Sequence, residues 1–575
     1  MRVLAPPRAS SRAAALRRRR LFALLGVALA SLAAGIVVGA TRSSSSEKLA
    51  ERFTRDWVRG DYTDMYALLT PESRTRVRFA RFEAAYARAR ETATAERMLA
   101  GKPKDLGGGL IRVPMTVTTR IFGTVRADLR LHTKAGRVGW SQSLTFPGVA
   151  RGARLTRSTT APRRAAILSH DGKTIVEGPA GARFSPLGAV GESIAGTVGQ
   201  ALTPGDRKAL YERGFPEDTP IGLSGLERVL EQRVAGTPGG QLFAGNTLLG
   251  SSQPRPAPPV RTTIDTHVEA AAVAALAGRF GGVAALDART GEVRALAGVA
   301  FSAPQPPGST FKIITATAVL ESRKAKTTTE FPVDTKATID GVDLQNANGE
   351  YCGGTLAQAF ARSCNSVFAP LGVEVGARRL VDTAERYGFN EQPSIPGAMP
   401  STIPPANQVG SDLAVGSTAI GQGRVLATPL ELASVAQTIA SRGLRHRPTV
   451  VPGAPSAPPV RATSPRIARA IERLMIGVVQ YGTGVRAALP NGVTVAGKTG
   501  TAELESTVPP KNEQQQQPPP SDESEPPGSK TDAWFTGFAP VHHPRIAVCV
   551  LLVRAGAGGD TAAPAARTVL AAGLH

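Results

Sequence analysis

Residues 306–320 read PPGSTFKIITATAVL, and two of them could do chemistry together. Ser309 carries a hydroxyl and Lys312, three residues on, an amine. On a helix that spacing places both on one side. The residues after Lys312 are apolar or small on nearly every face, so this helix is expected to be buried. A buried ammonium is costly without a partner, and burial favours the neutral amine. A neutral amine beside a hydroxyl is a general base beside a nucleophile. At a helix start the Ser would also lie among backbone N–H groups free to hold an oxyanion. Alone, the motif is weak, and the plainer reading is a capping Ser and a Lys that snorkels to water.

Two further runs carry compatible groups. TLAQAFARSCNSVFAPL (355–371) holds Ser363-Cys364-Asn365 where a helical pattern meets a break. A second hydroxyl can relay a proton between a Lys and a leaving amine. Asn365 offers both an acceptor and donors, which suits a peptide carbonyl. Read alone, this is also a polar turn between helices. VTVAGKTGTAE (493–503) is expected to be a short strand ending in Lys498-Thr499-Gly500-Thr501. A Lys and two hydroxyls attract a carboxylate. Gly500 lacks a side chain, so a substrate backbone could lie against this strand as an extra strand. The plainer reading is an edge strand guarded by Lys.

The elements that must position these groups follow from periodicity. TTIDTHVEAAAVAALAGRF (262–280) predicts an amphipathic helix entered from a strand, and GGVAALDARTGEVRALAG (281–298) a hairpin. DAWFTGFAPVHHPRIAVCVLLVR (532–554) predicts another hairpin, and APAARTVLAAGLH (563–575) a closing helix. Strands at both ends with helices between imply one antiparallel sheet covered by helices on both faces. Residues 503–530 interrupt this unit with Gln, Pro and acidic residues, and read as a disordered insertion. Upstream, Glu47 to about Leu99 has helical periodicity, and Leu110 to Phe146 alternates as antiparallel strands, together a small α+β domain. RRAAILSHDGKTIVEGP (163–179) predicts two strands around an Asp-Gly turn. GLERVLEQRVAGTPGGQL (225–242) predicts a helix stopped by Gly and Pro, and SSQPRPAPPV (251–260) a linker.

The N-terminus bears on compartment. RRRR at 17–20 precedes Leu21–Ala40, twenty residues without a charge and long enough to cross a bilayer. The basic flank should stay inside and the rest of the chain lie outside. Cleavage after Val38-Gly39-Ala40 is the alternative to a retained anchor. Over the 575 residues the net charge is +23, with the positive residues scattered rather than gathered in a stripe. No helix-turn-helix, zinc-finger or aromatic RNA-binding signature accompanies them, so nucleic acid is not an expected partner. Most of this charge reads as a solvated Arg-rich surface. Three cysteines without CxxC, and seven His without metal-ligand spacing, argue against zinc. Cys352 and Cys364 could bridge in an oxidising compartment, or stay free and half-buried.

Ser309 precedes Ser363 by 54 residues, and Ser363 precedes Lys498 by 135. SxxK, SxN and KTG in that order are the signature of penicillin-binding proteins and class A β-lactamases. The chain resembles the class B penicillin-binding proteins, the monofunctional peptidoglycan D,D-transpeptidases. TTIDTHVEAAAVAAL, ALDARTGEVRALAG, PPGSTFK, AIGQGRVLATPLELA (419–433), AGKTGTAE and WFTGFAP all resemble that family. RRAAILSHDG and LERVLEQRVAGTPGG resemble its pedestal, or dimerisation-type, domain. ERFTRDWVRGDYTDMYALLTPESR (51–74) is similar to the NTF2-like extension of the methicillin-resistance penicillin-binding protein and its relatives.

The resemblance implies a cytoplasmic tail at 1–20, a single-pass anchor at 21–40 and an NTF2-like domain at 47–147. A pedestal at 155–255 and a transpeptidase domain at 261–575 follow. It implies that Ser309 attacks the penultimate D-Ala carbonyl of a stem pentapeptide, Lys312 takes its proton, and Ser363 protonates the departing D-Ala. Asn365 would bind the substrate amide. Backbone N–H groups of Ser309 and Thr501 would form the oxyanion hole. Lys498, Thr499 and Thr501, on the strand with Gly500, would hold the terminal carboxylate. No metal or organic cofactor is implied. β-Lactams would acylate Ser309, and the other partners would be the cytoplasmic membrane and a division or elongation glycosyltransferase. The catalytic domain would be extracytoplasmic. A β-lactamase or β-lactam sensor, a D,D-carboxypeptidase and a non-catalytic cell-wall scaffold are the alternatives on the same motifs.

Overall fold

The computed structural model describes residues 44–453, 457–503 and 530–575. The expected tail and anchor at 1–40, and all of the expected insertion but its end residues Glu503 and Lys530, lie outside the described residues. Among the described residues no helix is long and apolar enough to cross a membrane. The chain forms two compact units, one built from residues up to Thr160 with 211–215 and 239–253, the other from the remainder.

In the smaller unit, helix α1 (Ser45–Arg59) opens on a capping box, in which Ser44 and Glu47 satisfy each other's backbone N–H groups. Its buried residues Phe53 and Trp57 meet Phe82 and Tyr86 of α2 (Phe79–Ala93) in one aromatic core. The helical reading of 47–99 ends early, at Ala93. Thr94 turns left-handed (φ +48°), and β1 (Ala95–Ala100) pairs antiparallel with β2 (Leu110–Thr119). AERMLA has helix-favouring composition, but sheet pairing outweighs so weak a preference. β2 pairs in turn with β3 (Thr124–Lys134), and the alternate residues Ile111, Val113, Leu129 and Leu131 are buried against the helices.

Residues 155–255 are shared between the units. Strand Leu155–Thr160 pairs with Gly239–Ala244, and that strand with Thr247–Ser252, all in the smaller unit. The expected strands around Asp171-Gly172 form in the larger unit (Ile167–Leu168 and Thr174–Val176). The helix expected over 225–242 is instead two short helices, Gly225–Val229 and Glu231–Val234, followed by the strand from Gly239. Leu230 leaves helical geometry, and the Arg164 guanidinium takes the Glu227 carbonyl that a continuous helix would use.

The larger unit is organised by a five-stranded, wholly antiparallel sheet. Along the chain its elements are α3 (Thr266–Leu276), β4 (Gly281–Asp287), β5 (Val293–Gly298), α4 (Lys312–Glu321), α5 (Leu356–Arg362) and α6 (Asn365–Val375). They continue with α7 (Pro429–Ala440), α8 (Pro465–Gln480), β6 (Ala496–Glu503), β7 (Thr531–Ala539), β8 (Ile546–Leu552) and α9 (Ala562–Ala572). The strand order is β5-β4-β8-β7-β6. Side chains alternate between two cores, as a strand's period of two requires. Val283, Ala285, Phe535 and Val548 face α3 and α9 on one side. Ala284, Leu286, Trp534 and Cys549 face the larger helical layer on the other. The expected sheet with helices on both faces is present. β6 is an edge strand, paired only with β7 among the described residues.

Candidate active site

Ser309 sits half-buried in a 3-10 turn, Gly308–Phe311, that runs directly into α4. Lys312 is the first residue of α4, and all of Lys312–Val319 is buried. The apolar run is therefore an inner helix, in which each fully buried Ile or Val contributes about 1.5–3 kcal/mol. That packing is what carries Lys312 out of water.

The Ser309 turn is held by backbone-to-backbone approach. Gly308 adopts φ +51°, and a Cβ there would lie 2.6 Å from the Thr501 carbonyl oxygen of β6. Its N–H donates to the Gly421 carbonyl at 2.9 Å, within the AIGQG run. Thr315, one turn into α4, donates its hydroxyl to the Ala419 carbonyl at 2.6 Å. Gly500 serves the same junction. A Cβ there would lie 2.8 Å from the Pro307 carbonyl oxygen and 3.0 Å from Thr310 Cγ2. Beside the room expected there for a substrate backbone, the missing side chain has a second use: it lets the Ser309 turn seat against β6.

Ser363 ends α5 in the left-handed region (φ +65°), a conformation that costs a non-Gly residue on the order of 1 kcal/mol. The kink turns its carbonyl and hydroxyl toward α4. Lys312 Nζ donates to the Ser363 carbonyl at 2.7 Å and to Asn365 Oδ1 at 2.6 Å, and lies 3.4 Å from Ser363 Oγ. Lys498 Nζ donates to Ser363 Oγ at 2.9 Å and to the Thr499 carbonyl at 3.0 Å. Both lysines are 0% exposed, and no ion pair among the described residues neutralises either. Each ammonium has an aromatic face beside it, Phe368 and Phe360 respectively, with Nζ 5.6 Å from the ring centre. Burial holds the Lys312 ammonium well below the ordinary lysine range, and the Lys498 charge adds to the effect. Burial pushes Lys498 down to about 7.

A neutral Lys312 has two N–H bonds and one lone pair. The two short contacts, to the Ser363 carbonyl and Asn365 Oδ1, account for both N–H bonds. The lone pair is left as a proton acceptor, which is what a general base beside a hydroxyl needs.

The structure therefore brings four of the expected side chains, Lys312, Ser363, Asn365 and Lys498, into one network, which Lys498 extends to the Thr499 backbone carbonyl. Ser309 adjoins Lys312 by chain continuity. Thr501 accepts from the Gly558 N–H at 3.3 Å. Thr483, not anticipated from the sequence, shares a hydrogen with Thr499 at 2.5 Å and donates its own N–H to the Ala361 carbonyl at 3.1 Å. It ties the end of α5 to β6. The flanking glycines of YGTG signal a turn there, but nothing local names its partner. Cys352 and Cys364 form a disulfide, Cα to Cα 5.4 Å, so the middle residue of Ser363-Cys364-Asn365 is covalently tied to strand Cys352–Thr355.

Residues 281–571, from β4 to within α9, match the penicillin-binding protein transpeptidase domain. The chain belongs to that family. It is 33% identical over 299 residues to the peptidoglycan D,D-transpeptidase PbpA of Mycobacterium tuberculosis, covering 48% of this chain and 56% of that protein. Penicillin-binding protein 3 of Bacillus subtilis is 24% identical over 372 residues, covering 56% and 55% respectively. The chain thus spans about half the length of these curated relatives. Among solved structures, the D,D-transpeptidase domain of a peptidoglycan glycosyltransferase from Eggerthella lenta aligns with TM-score 0.55 and 28% identity. That alignment covers 72% of this chain and 99% of that one. The imipenem acyl-enzyme of penicillin-binding protein A from M. tuberculosis aligns with TM-score 0.55 and 25% identity over 72% of this chain and 99% of that one. The larger unit of this penicillin-binding protein thus carries the family's sheet and helices around Ser309.

Proposed function

We propose that this protein is a serine D,D-transpeptidase that cross-links peptidoglycan stem peptides and is acylated by β-lactams at Ser309. The observation that carries the reading is the fully buried Lys312, three residues from Ser309, whose Nζ makes short contacts to the Ser363 carbonyl and Asn365 Oδ1 and meets no carboxylate among the described residues. Ser309 Oγ adds to the carbonyl carbon of the penultimate D-Ala while its proton passes to Lys312. The oxyanion is held by the backbone N–H groups of Ser309 and Thr501, each contributing about 3–4 kcal/mol in comparable sites. Lys498, Thr499 and Thr501 bind the terminal carboxylate, and Asn365 the substrate amide. As the intermediate collapses, the C–N bond breaks and Ser363 Oγ protonates the departing D-Ala nitrogen. Lys498 and Lys312, both within reach of Ser363, resupply that proton. An amine of a neighbouring strand then attacks the ester, loses a proton to the same network and releases Ser309. β6 supports this reading, since its unpaired edge can align an extended peptide.

The remainder of the chain is read with the same partners. Residues 21–40 anchor the protein in the cytoplasmic membrane with the described units outside it. The Cys352–Cys364 disulfide supports that placement, because such bonds persist in oxidising compartments. The helices and curled sheet of the smaller unit support an NTF2-like domain over 47–147, similar to that of the methicillin-resistance group, with a pedestal at 155–255. A membrane glycosyltransferase that supplies uncross-linked strands is the expected partner.

Labelling with a fluorescent penicillin tests the assignment. The wild-type protein is expected to be labelled and Ser309→Ala not, with the adduct mapped to Ser309 by peptide mass spectrometry. Labelling of both proteins would place the nucleophile elsewhere. Rapid turnover of nitrocefin would make the protein a hydrolase.

A further inference from the structure

Asn346 lies 5% exposed at the end of a hairpin formed by Lys336–Ile339 and Val342–Gln345. Its side chain is fully engaged. The two N–H bonds of Nδ2 are shared among three acceptors within reach, the Asp334 carbonyl at 2.7 Å, the Glu350 carbonyl at 3.0 Å and Ser366 Oγ at 3.2 Å. Oδ1 accepts from the Ser366 N–H at 2.9 Å. The preceding residue, Gln345, offers its carbonyl to Asn365 Nδ2 at 2.7 Å. Two consecutive residues, 345 and 346, thus grip two consecutive residues, 365 and 366, at the first turn of α6.

The grip decides which way the Asn365 carboxamide faces. A backbone carbonyl only accepts, so Gln345 selects the NH2 side of Asn365. Oδ1 is then left toward Lys312 Nζ at 2.6 Å. Flipping the amide would set oxygen against the Gln345 carbonyl and NH2 against a nitrogen that already donates. In the observed orientation one N–H of Asn365 has no partner among the described residues. Asn346 touches none of the reacting groups. It fixes the residue before it and the residue after Asn365.

We propose that Asn346 is a positioning residue that presents the free N–H of Asn365 to the side-chain amide of the acyl donor. It thereby sets the preference for donors that carry an amide at that place. The inference rests on the penicillin-binding reading above. The test uses full-length protein in detergent and two acylating agents, benzylpenicillin, which has a side-chain amide, and imipenem, which has a hydroxyethyl group instead. In Asn346→Ala the second-order acylation rate with benzylpenicillin is expected to fall roughly tenfold, the worth of about one hydrogen bond, while the imipenem rate changes less than about threefold. Acylation by imipenem certifies that the variant is folded. Equal falls for both agents mean that Asn346 merely supports the fold, and overturn the inference, as does no change for either. If Asn346→Ala does not accumulate, Asn346→Ser keeps an acceptor for the Ser366 N–H and is expected to shift the same ratio in the same direction. Wild-type protein acylated by neither agent would remove the parent reading, an outcome distinct from any effect of the variants.

Discussion

Glu227 and Lys312 are both fully buried ionisable side chains of the larger unit, yet their surroundings differ in kind. Glu227 pairs with two arginines, Arg164 and Arg183, which are themselves almost fully buried, and Arg164 also reaches Glu231. Each charge there meets an opposite one at 2.5–2.8 Å. Lys312 and Lys498 meet carbonyl oxygens, an amide oxygen, a hydroxyl and aromatic faces, but no carboxylate among the described residues. A paired buried charge keeps its ionic state and holds segments together. An unpaired buried cation is driven toward its neutral form and becomes reactive. The first arrangement is architecture and the second is chemistry.

The contrast is most directly broken at Lys312. Lys312→Met removes the base but also an uncompensated buried amine. Acylation by a penicillin is expected to fall roughly a hundred- to ten-thousand-fold, the usual worth of a positioned base. The thermal midpoint should hold or rise. A large loss of stability would show that the lysine is a structural strut like Glu227.

Glu227 should behave in the opposite way. Glu227→Gln takes the carboxylate away from buried Arg183 and leaves Arg164 with Glu231 alone, at a cost of about 3–5 kcal/mol. Chemical denaturation reads the loss directly. Acylation per folded molecule should be unchanged, and a fall in that rate would give the cluster a part in the site.

A pH profile sharpens the comparison further. With Lys312 neutral and Lys498 charged in the active form, the second-order acylation rate traces a bell. The ascending limb follows loss of the Lys312 proton, far below ordinary lysine titration, and the descending limb follows Lys498, near pH 7 in the free protein. A rate still climbing above about pH 9 would overturn that division of roles. Stability carries the matching sign. Folded Lys498 binds its proton less well than unfolded lysine, so its penalty is complete below about pH 7 and fades as pH rises toward 10.5.

How much of this could be read from the chain follows from the range of each interaction. The chemistry demands particular residue types in short runs, so Ser309, Lys312, Ser363, Asn365 and Lys498 could be named before their meeting was seen. Elements with a strong period, such as α4 and the hairpin strands β4, β5, β7 and β8, were legible for the same reason. What escaped depends on distant partners. Thr483 looks like any turn threonine until Thr499 arrives beside it. Asn346, in QNANG, reads as a turn residue until Ser366 and Asn365 lie against it. Strand Leu155–Thr160 finds its partner at Gly239–Ala244, which no local pattern announces, and so the residues between the two were grouped differently. Ala95–Ala100 had helical composition and became a strand because β2 was there to pair with it.

The seating of the Ser309 turn on β6 also bears on how the protein can change. A single-base change in a glycine codon yields Ala, Ser, Val, Asp, Glu, Arg, Cys or Trp, and each of these adds a Cβ. At Gly308 and Gly500 that one carbon falls within van der Waals contact of backbone oxygens. The shortest mutational steps around Ser309 are therefore closed. Heritable tuning of its reactivity is left to the outer ring, at positions such as Asn346, which touches none of the reacting groups.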